Sequence, residues 1–476
     1  MSPPDLNADD WEAIQAVGRR LRANQLDGFT AQGEGCGWCR HPIRLRGSVI
    51  ARTGNERVRV FTTGGLPDGV FLKACGTRRE TRCPACAAVY RGDARHLVRA
   101  GLIGGKGIDE SVAERPAVLV TLTAPSFGPV HWSAMQGPCH PGSTAPRCVH
   151  GRALSCSVHH DEGDAIVGSP LCVDCYDFAG AVLQNASTPE LWRRTTIYVL
   201  RRLAGTLGWS QRETKERIRL SFLRVAEYQR RGVVHLHAVI RADGVDGEPP
   251  PLEPGDLAEA ALSAARTVSV AHPLGVARWG NQVDVQVLDR STGQRAQQVA
   301  GYVAKYATKS SDGGGALDAR IVSEEDLARR SLPSHLRCMV EVAWALGGDE
   351  AFEPLHLRRH AHGLGYGGHF LSKSHRYSTS FGALKAARIA WREANRQDSH
   401  GHDDGAKVGS DGNGDGQSLP DRSLVRRWHA VGIGWANRGE ALWAESQRRQ
   451  RHEERRIGNE EWYCRTVQDT EQQETE

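Results

Sequence analysis

The chain has 476 residues, of which 39% are hydrophobic and 25% are charged, and its formal net charge is +5. At ~100–200 residues per domain, this length predicts two to four domains of ordinary globular composition. No stretch approaches the ~18 consecutive apolar residues of a membrane span, and the acidic start lacks the apolar core of a secretory signal. The sequence therefore argues against a membrane protein and predicts a cytoplasmic one.

The N-terminal part of the chain predicts a metal site. Residues 9–30 are predicted to form a short amphipathic helix, followed at 36–90 by a segment rich in cysteine, glycine and arginine. Two Cys-x-x-Cys pairs lie in this segment, formed by Cys36, Cys39, Cys83 and Cys86. Each pair presents two thiolates on one side of a turn, and tetrahedral Zn²⁺ needs four such ligands. We predict one structural zinc site in a zinc-ribbon-like region, with Cys75 as a candidate to replace one ligand; the alternative is free or redox-active thiols.

A second region rich in cysteine and histidine follows a predicted buried strand at 117–123. It spans residues 137–178 and contains another Cys-x-x-Cys pair, Cys172 and Cys175. We predict that this pair binds a second zinc ion, because cysteines in a reducing compartment are more often metal ligands than disulfides. The sequence leaves the remaining ligands open among Cys139, Cys148, Cys156, His140, His150, His159 and His160.

Residues 219–228 and 233–241 are predicted to form a hairpin with a short loop. Because side chains alternate along a strand, His235 and His237 share one face of it. The opposite face is wholly apolar, with Val234, Leu236, Ala238 and Ile240. Antiparallel pairing places Glu227 beside His235, which would complete a three-ligand open site for a divalent ion. The alternative is a pair of half-buried histidines without a metal.

A predicted helix at 294–309 carries two tyrosines one turn apart, Tyr302 and Tyr306. Each is followed three residues later by a lysine, Lys305 or Lys309, although only eight of the 61 basic residues are lysines. A phenol with a pKa of about 10 is a poor nucleophile at neutral pH, and a nearby ammonium favours the phenolate. The alternative is an aromatic pair that packs in the core.

The rest of the chain is predicted to be mostly helical. A strand is predicted at 281–288, and helices are predicted at 189–207, 210–217, 256–268, 323–330, 335–346 and 384–394. The basic segment 358–376 predicts a surface for single-stranded DNA with stacking from Tyr366, Phe370 and Tyr377, or else a solvated loop. Residues 399–419 are a polar, low-complexity linker predicted to be disordered. The tail at 420–476, rich in Trp, Arg and Glu, is expected to form a helix pair or a partner segment.

Three motifs in this order resemble those of the HUH endonucleases: AVLVTLTAPS at 117–126, HLHAV at 235–239 and YVAKYATK at 302–309. The chain more closely resembles the rolling-circle replication initiators of actinobacterial plasmids over about residues 36–395. Supporting stretches include CPACAAVYRGD at 83–93 and EYQRRGVVHLHAVIRAD at 227–243.

The resemblance implies an α+β fold with a central antiparallel sheet flanked by helices. It also implies that His235 and His237 hold Mg²⁺ or Mn²⁺. A tyrosine would attack a DNA phosphodiester at the plasmid origin, leaving a covalent 5′-phosphotyrosine and a 3′-OH for polymerase. Relatives with a single nucleophile have Glu in place of Tyr302, so Tyr306 is expected to be the primary nucleophile and Tyr302 the second or an auxiliary.

These expectations divide the chain into five parts. They are an N-terminal helix with the cysteine-rich region at 1–110, an HUH nuclease domain at 111–315 with an insertion at 137–178, a helical and basic extension at 316–398, the linker at 399–419 and the tail at 420–476. The sequence lacks a phosphate-binding GxxxxGK[ST] loop, so helicase activity is expected from the host, together with polymerase. The alternatives are a transposase or relaxase with the same chemistry, a zinc-dependent DNA-binding regulator without catalysis, and a redox protein.

Overall fold

The computed structural model describes residues 7–53, 56–133, 137–142, 147–245, 248–288, 293–312, 319–399 and 423–473. The chain forms two compact units, one of Met1–Tyr90 with His402–Glu476 and one of Arg91–Gly401. The predicted linker at 399–419 lies outside the described residues except for Ser399.

The described residues form helices and strands in the following order. The α-helices are α1 (Ala8–Arg22), α2 (Leu26–Gly35), α3 (Pro84–Ile103), α4 (Phe178–Leu207), α5 (Gln211–Arg217), α6 (Pro254–Thr267), α7 (Gly293–Asp312), α8 (Glu324–Ala328), α9 (Ser334–Leu346), α10 (Leu357–His360), α11 (Phe381–Ser399) and α12 (Arg438–Gln473). The strands are β1 (Ile43–Thr53), β2 (Glu56–Thr62), β3 (Phe71–Lys73), β4 (Ala117–Leu122), β5 (Ile218–Tyr228), β6 (Val234–Gly244), β7 (Ser269–His272), β8 (Gly275–Arg278), β9 (Val283–Val287), β10 (Leu371–Lys373) and β11 (Ser423–Ile433). None of the helices in the described part of the chain has both the length and the apolar character needed to cross a bilayer.

In the first unit, β1 lies between β11 and β2 in an antiparallel sheet, and β3 also pairs with β1. The tail does not form the predicted helix pair: its first part is the strand β11, because β1 offers it an antiparallel partner from Ile43↔Ile433 to Arg52↔Ser423. Trp428 fixes the contact, its ring centroid lying 5.8 Å from that of Phe61.

The helix predicted at 9–30 is two helices, α1 and α2. The chain turns between them at Asn24, whose φ of 54° lies in the left-handed region, where asparagine is tolerated better than most residues. This break lets Phe29 of α2 pack against Trp435 and Trp443 in the core of the unit, with ring centroids 5.5 Å apart in both pairs.

The second unit is built on a five-stranded antiparallel sheet in the order β10-β5-β6-β4-β9. The fold is α+β, with antiparallel sheets and flanking helices, as predicted. Leu236, Ala238 and Ile240 of β6 are fully buried in a core formed with residues of α4, α6 and α9. Truncating one such buried leucine to alanine typically costs about 2–5 kcal/mol. The opposite face of the hairpin is thereby left for the two histidines.

The prediction that aromatic residues near 358–376 form a stacking surface is wrong for two of them, Tyr366 and Tyr377. Tyr366 is 4% exposed and packs edge-on against Tyr228, with ring centroids 6.4 Å apart. Tyr377, fully buried, donates its hydroxyl to the carbonyl of Val98 at 3.3 Å. Both tyrosines serve the core, because each phenol finds a hydrogen-bond partner inside the unit.

Candidate active site and metal centres

The two histidines of β6 lie on one face of the sheet. In the β5–β6 register Glu227 is opposite His235, as the sequence predicts, and Val225 is opposite His237. The imidazole ring centroids of His235 and His237 are 4.6 Å apart. Oε2 of Glu227 lies 3.7 Å from Nε2 of His237. The hairpin therefore brings two imidazoles and a carboxylate together.

Two threonines, to which the sequence analysis gave no role, orient the imidazoles. Oγ1 of Thr121 in β4 lies 3.2 Å from Nδ1 of His237, and Oγ1 of Thr123 lies 3.0 Å from Nδ1 of His235. Each hydrogen bond engages Nδ1 and leaves Nε2 as the ligand nitrogen, as the supporting partners of metal-bound histidines do. The sequence contains a pattern that could have predicted this role, because Thr121 and Thr123 are alternate residues in the otherwise apolar stretch 117–123.

Electrostatics keep His235 neutral. Burial, and then the neighbouring His237, lower the pKa of His235 to about 4. A neutral imidazole is the form that binds a metal ion. Nε2 of His237 is buried and has no hydrogen-bond partner among the described residues. An orphaned nitrogen beside a carboxylate fits a divalent cation at this place, because a buried polar atom without a partner is otherwise unfavourable.

The tyrosine helix α7 lies against β5 and brings both phenols to the histidine face. The ring of Tyr306 stacks on His237, with centroids 4.2 Å apart and planes at 29°. Tyr302 meets His237 edge-on at 5.4 Å, and the two tyrosine rings are 4.8 Å apart. The structure thus joins two motifs that are about 65 residues apart in the sequence at a single site, through helix spacing of i and i+4.

The two tyrosines differ in their surroundings. The pKa of Tyr302 is raised by desolvation, by a hydrogen bond to Tyr306 and by the charges of Glu227 and Asp284. Lys305 is exposed on the same helix, and the side chain of Lys309 lies outside the described residues. The lysine roles stay predictions.

The hairpin loop is held in place from behind. The buried amide of Asn185 in α4 donates to the carbonyls of Gly232 and Leu364, both at 2.9 Å, and its oxygen accepts from the N–H of Val234 at 2.8 Å. Gly232 has a φ of +79°, and a Cβ there would lie 2.6 Å from the sulfur of Met339. The turn therefore requires glycine, and Asn185 of α4 fixes the position of the hairpin loop through its hydrogen bonds.

A cavity of about 990 Å³ adjoins the histidine pair and shares Thr123 with it. Its walls carry the exposed side chains of Arg266, Arg278 and Trp132. Arg231 also lines it but donates to the carbonyls of Ala124 and Pro125, and Trp279 is buried. Guanidinium groups and indole rings are the side chains that contact the backbone and bases of single-stranded nucleic acid. No local sequence pattern predicts this surface, because its residues come from five separate stretches of the chain.

In the first unit four thiols converge, with one change from the predicted set. Cys39, Cys75, Cys83 and Cys86 form a group whose sulfurs all lie within 4.8 Å of one another. The distances between sulfurs are 3.6 Å for Cys75–Cys86 and 3.7 Å for both Cys83–Cys39 and Cys86–Cys39. A tetrahedral Zn²⁺ with Zn–S of about 2.3 Å separates its sulfurs by about 3.8 Å. The cluster is compatible with a metal such as zinc.

Cys36 was predicted as a ligand but lies outside this group. It follows the end of α2, and its thiol donates back to the carbonyl of Gly33 at 3.3 Å. Cys75 takes its place, and the N–H of Cys75 donates to Sγ of Cys39 at 3.3 Å. Hydrogen bonds from Cys39 and Cys86 lower the pKa of Cys83, and hydrogen bonds with Cys83 and Cys86 raise the pKa of Cys39, so Cys83 is the first thiol of the group to ionise.

The predicted pair Cys172 and Cys175 forms a second group with Cys148 and His150, in which all four ligand atoms lie within 4.8 Å of one another. A third group in the same stretch consists of His131, Cys139, Cys156 and His160. His131 was outside the candidates considered from the sequence, because it precedes the segment whose composition drew attention. These two groups are compatible with metal ions as well.

Comparison with known proteins gives one family and one relative. The sequence model of the family described as "RepSA: Replication initiator protein, pSAM2" matches residues 25–449. The chain is 40% identical over 375 residues to a replication initiator protein of Streptomyces ambofaciens, covering 74% of this chain and 78% of that protein. No solved structure matches the chain. The family match extends past the 36–395 delimited by the motifs and takes in β11 and part of α12.

Proposed function

The chain belongs to the pSAM2 replication initiator (RepSA) family, and on this premise we propose that it nicks and rejoins one DNA strand at a replication origin through a tyrosine. The observation that carries the proposal is the stacking of Tyr306 on His237, with ring centroids 4.2 Å apart. A phenol beside a histidine–carboxylate set is the arrangement that nucleophilic attack on a phosphodiester needs. Replication then starts by the rolling-circle route, from the 3′-OH that the nick releases.

The reaction balances without a nucleotide cofactor. The phenol oxygen of Tyr306 forms a bond to phosphorus, and the bond from phosphorus to the 3′ oxygen breaks. The phenol loses its proton, the departing 3′ oxygen gains one, and the 5′-phosphate stays on the tyrosine. Attack by a 3′-OH on the phosphotyrosine reverses the step and rejoins the strand. The phosphodiester bond energy is retained in the protein–DNA link.

Tyr306 is assigned as the first nucleophile and Tyr302 as the second or an auxiliary. Desolvation and a hydrogen bond to Tyr306 raise the pKa of Tyr302, so its phenol is harder to ionise than an ordinary tyrosine. Tyr306 is also the phenol whose ring stacks on His237 at 4.2 Å, whereas Tyr302 meets that histidine edge-on at 5.4 Å. Lys305 and Lys309 are assigned to the electrostatic support of the phenolate and of the DNA phosphate.

His235, His237 and Glu227 are assigned as the residues that hold Mg²⁺ or Mn²⁺. Such an ion supplies charge neutralisation for the phosphate when bound. Burial lowers the pKa of His235 and so keeps it neutral, and Thr121 and Thr123 orient the two imidazoles. Single-stranded DNA next to the nick is assigned to the adjoining cavity, with host helicase and polymerase acting on the released strand.

The cysteine group of the first unit is assigned a structural zinc ion. Its four ligands are all protein sulfurs, which leaves no position for a substrate. In this assignment the ion stabilises the first unit and takes no part in the nicking step.

The experiment is a search for a covalent adduct. The full-length protein is incubated with Mn²⁺ and single-stranded fragments that cover both strands of the replicon carrying its gene, and the products are separated on a denaturing gel. We expect an adduct with a fragment from the origin region. Tyr306→Phe should lower its yield by at least about 100-fold, the loss expected when a nucleophile is removed. Tyr302→Phe should have a smaller effect on the first cleavage.

Tyr198→Phe in α4 is the matched control, because that tyrosine lies outside the site and stacks with Arg201. It should leave the yield unchanged. An adduct that survives the double substitution Tyr302→Phe and Tyr306→Phe contradicts the nucleophile assignment. Absence of an adduct on every fragment, with the fold intact, contradicts the nicking function and favours a non-catalytic regulator.

A further inference from the structure

We propose that residues 131–175 bind two zinc ions through interleaved ligand sets, so that the segment is cross-braced by metal. Its eight candidate ligands occur along the chain as four consecutive pairs. The first and third pairs form one group, His131 and Cys139 with Cys156 and His160. The second and fourth form the other, Cys148 and His150 with Cys172 and Cys175. This inference stands on the ligand geometry and is independent of the nicking chemistry.

The first of these groups, named here the outer site, has the dimensions of a tetrahedral zinc site. With Zn–S of about 2.3 Å and Zn–N of about 2.0 Å, tetrahedral ligands lie about 3.3 Å (N–N) and about 3.5 Å (S–N) apart. Nδ1 of His131 and Nε2 of His160 are 3.2 Å apart. Sγ of Cys139 lies 3.8 Å from Nδ1 of His131, and Sγ of Cys156 lies 3.3 Å from Nε2 of His160.

The backbone selects these ligands over their neighbours. Reciprocal hydrogen bonds between His140 and Cys156, at 2.9 and 3.0 Å, place Cys139 near Cys156. His140 itself turns away, with Nε2 at 2.7 Å from the carbonyl of Val130. His159 likewise turns away, toward the carbonyl of Gly137 at 3.0 Å. These two histidines therefore hydrogen-bond to backbone carbonyls and lie outside the ligand set.

Supporting contacts around the outer site are those of a metal-bound set. The N–H of Trp132 donates to Sγ of Cys139 at 3.3 Å. Oδ2 of Asp164 lies 3.6 Å from Nδ1 of His160, the ring nitrogen opposite the proposed ligand atom. At hydrogen-bond distance, a carboxylate in this position would fix the tautomer of a ligating histidine and raise its basicity.

The second group, named here the inner site, is built from two tight turns. Nδ1 of His150 lies 3.2 Å from Sγ of Cys175 and 3.8 Å from Sγ of Cys172. The first turn is closed by the N–H of Gly151, which donates to the carbonyl of Cys148 at 2.8 Å. The second is the short 3₁₀ turn at Val173–Cys175. Three sulfurs and one nitrogen complete the set.

The two metal ions would hold together a segment that lines the cavity next to the candidate active site. Between residues 131 and 172 the described residues contain only isolated bridges and turns, so little regular hydrogen bonding holds the segment. Where secondary structure and core are scarce, metal binding supplies the folding free energy. Val130, Trp132 and His140 form one wall of the cavity next to Thr123. The two ions would therefore fix that wall.

The test is zinc analysis of purified full-length protein by mass spectrometry of the metal. Cys156→Ser and Cys175→Ser should each lower the content by one zinc ion per chain, whereas His140→Asn, His159→Gln and Cys338→Ser should leave it unchanged. If the two single ligand variants keep the wild-type zinc content, the proposal is wrong.

Double variants separate interleaved from sequential ligand sets. Cys139→Ser with Cys156→Ser should lose one ion, because both belong to the outer site, whereas Cys139→Ser with Cys148→Ser should lose two. Loss of two in the first double and one in the second overturns the interleaved order. If variants fail to fold, thiol alkylation of the wild type decides. Cys156 and Cys338 are both partly exposed, so Cys156 should be protected until a strong chelator is added, and equal reaction of the two without chelator contradicts the proposal.

Discussion

The cysteine group of the first unit and the histidine–tyrosine site of the second are both candidate metal centres, but they are built differently. In the first, four thiols lie within 4.8 Å of one another, and three of the four cysteines are buried. In the second, two imidazoles and a carboxylate lie on a sheet face, beside a Tyr302 that is 40% exposed. Among the described residues, the groups whose ligand atoms all lie within 4.8 Å of one another contain cysteine, and the ligand atoms of His235, His237 and Glu227 are more widely spaced.

The difference shows what distinguishes a structural metal site from a catalytic one. A set completed by protein ligands can only hold the fold, whereas a set with open positions leaves room for a phosphate oxygen. The supports differ accordingly. The thiols come from three separate stretches, around Cys39, around Cys75 and at the start of α3. The imidazoles instead lie on one strand, and Thr121, Thr123 and Asn185 hydrogen-bond to them or to that strand. The following predictions, from the largest expected effect to the smallest, test this contrast.

Brief treatment with EDTA should separate the two kinds of site. We expect adduct formation to fall at least about 100-fold, because the open site loses its ion readily. The zinc content should stay constant, because closed thiolate sites exchange slowly. Adding Mn²⁺ should restore the adduct. Full activity in EDTA would show that the histidine site needs no exchangeable ion.

Cys83→Ser should remove one zinc ion and lower the free energy of unfolding of the first unit by several kcal/mol, because metal binding there is coupled to folding. Zinc analysis and urea unfolding followed by tryptophan fluorescence measure both effects. Cys36→Ser is the matched control, since its thiol donates to the carbonyl of Gly33 and does not belong to the group of four sulfurs. Loss of zinc in Cys36→Ser, with zinc retained in a Cys75→Ser variant, would restore the ligand set predicted from the sequence.

Thr121→Val should weaken Mn²⁺ binding by about 10-fold, the usual effect of removing a partner that orients a ligating histidine. The substitution keeps the shape of the side chain and removes only its hydrogen bond to His237. Isothermal titration of Mn²⁺ measures the change, and Thr196→Val on α4, whose hydroxyl bonds only its own helix at 2.9 Å, is the control. Equal affinities for Thr121→Val and wild type would remove the threonine from the site.

The smallest effect concerns pH. His235 has a folded-state pKa of about 4, below its ordinary value of 6.5, so it stays neutral while the unfolded chain takes up a proton. The free energy of unfolding in EDTA should therefore fall as the pH drops from about 6.5 toward 4, because the unfolded state binds more protons there. In His235→Asn this part of the pH dependence should disappear. An unchanged pH profile in that variant would place the titration elsewhere.

Features that depend on neighbouring residues were predictable. Alternation along 234–240 separated the apolar face from the histidine face, and the short loop fixed Glu227 opposite His235. Helix spacing placed Tyr302 and Tyr306 on one face, where their rings lie 4.8 Å apart. Each of these relations spans about ten residues or fewer, so local geometry determines it.

Features that depend on contacts between distant parts of the chain were not predictable from the sequence. The contacts of Thr121 and Thr123 with the histidines require the β4–β6 register, which no local signal specifies. The exchange of Cys36 for Cys75 depends on the way α2 ends. The sequence indicated extra ligands in 137–178 but could not choose among them, because the choice depends on which backbone carbonyls occupy His140 and His159.

The sequence by itself determined the kinds of chemistry in this protein, thiolate clusters and a histidine–tyrosine site, because residue type and short spacing carry that information. Only the tertiary structure decided which thiols belong together, that β11 completes the sheet of β1, and that Tyr306 rather than Tyr302 stacks on His237. The physical reason is that these choices are made by packing and hydrogen bonds between segments far apart in the chain. Local patterns supply the candidates, and long-range contacts select among them.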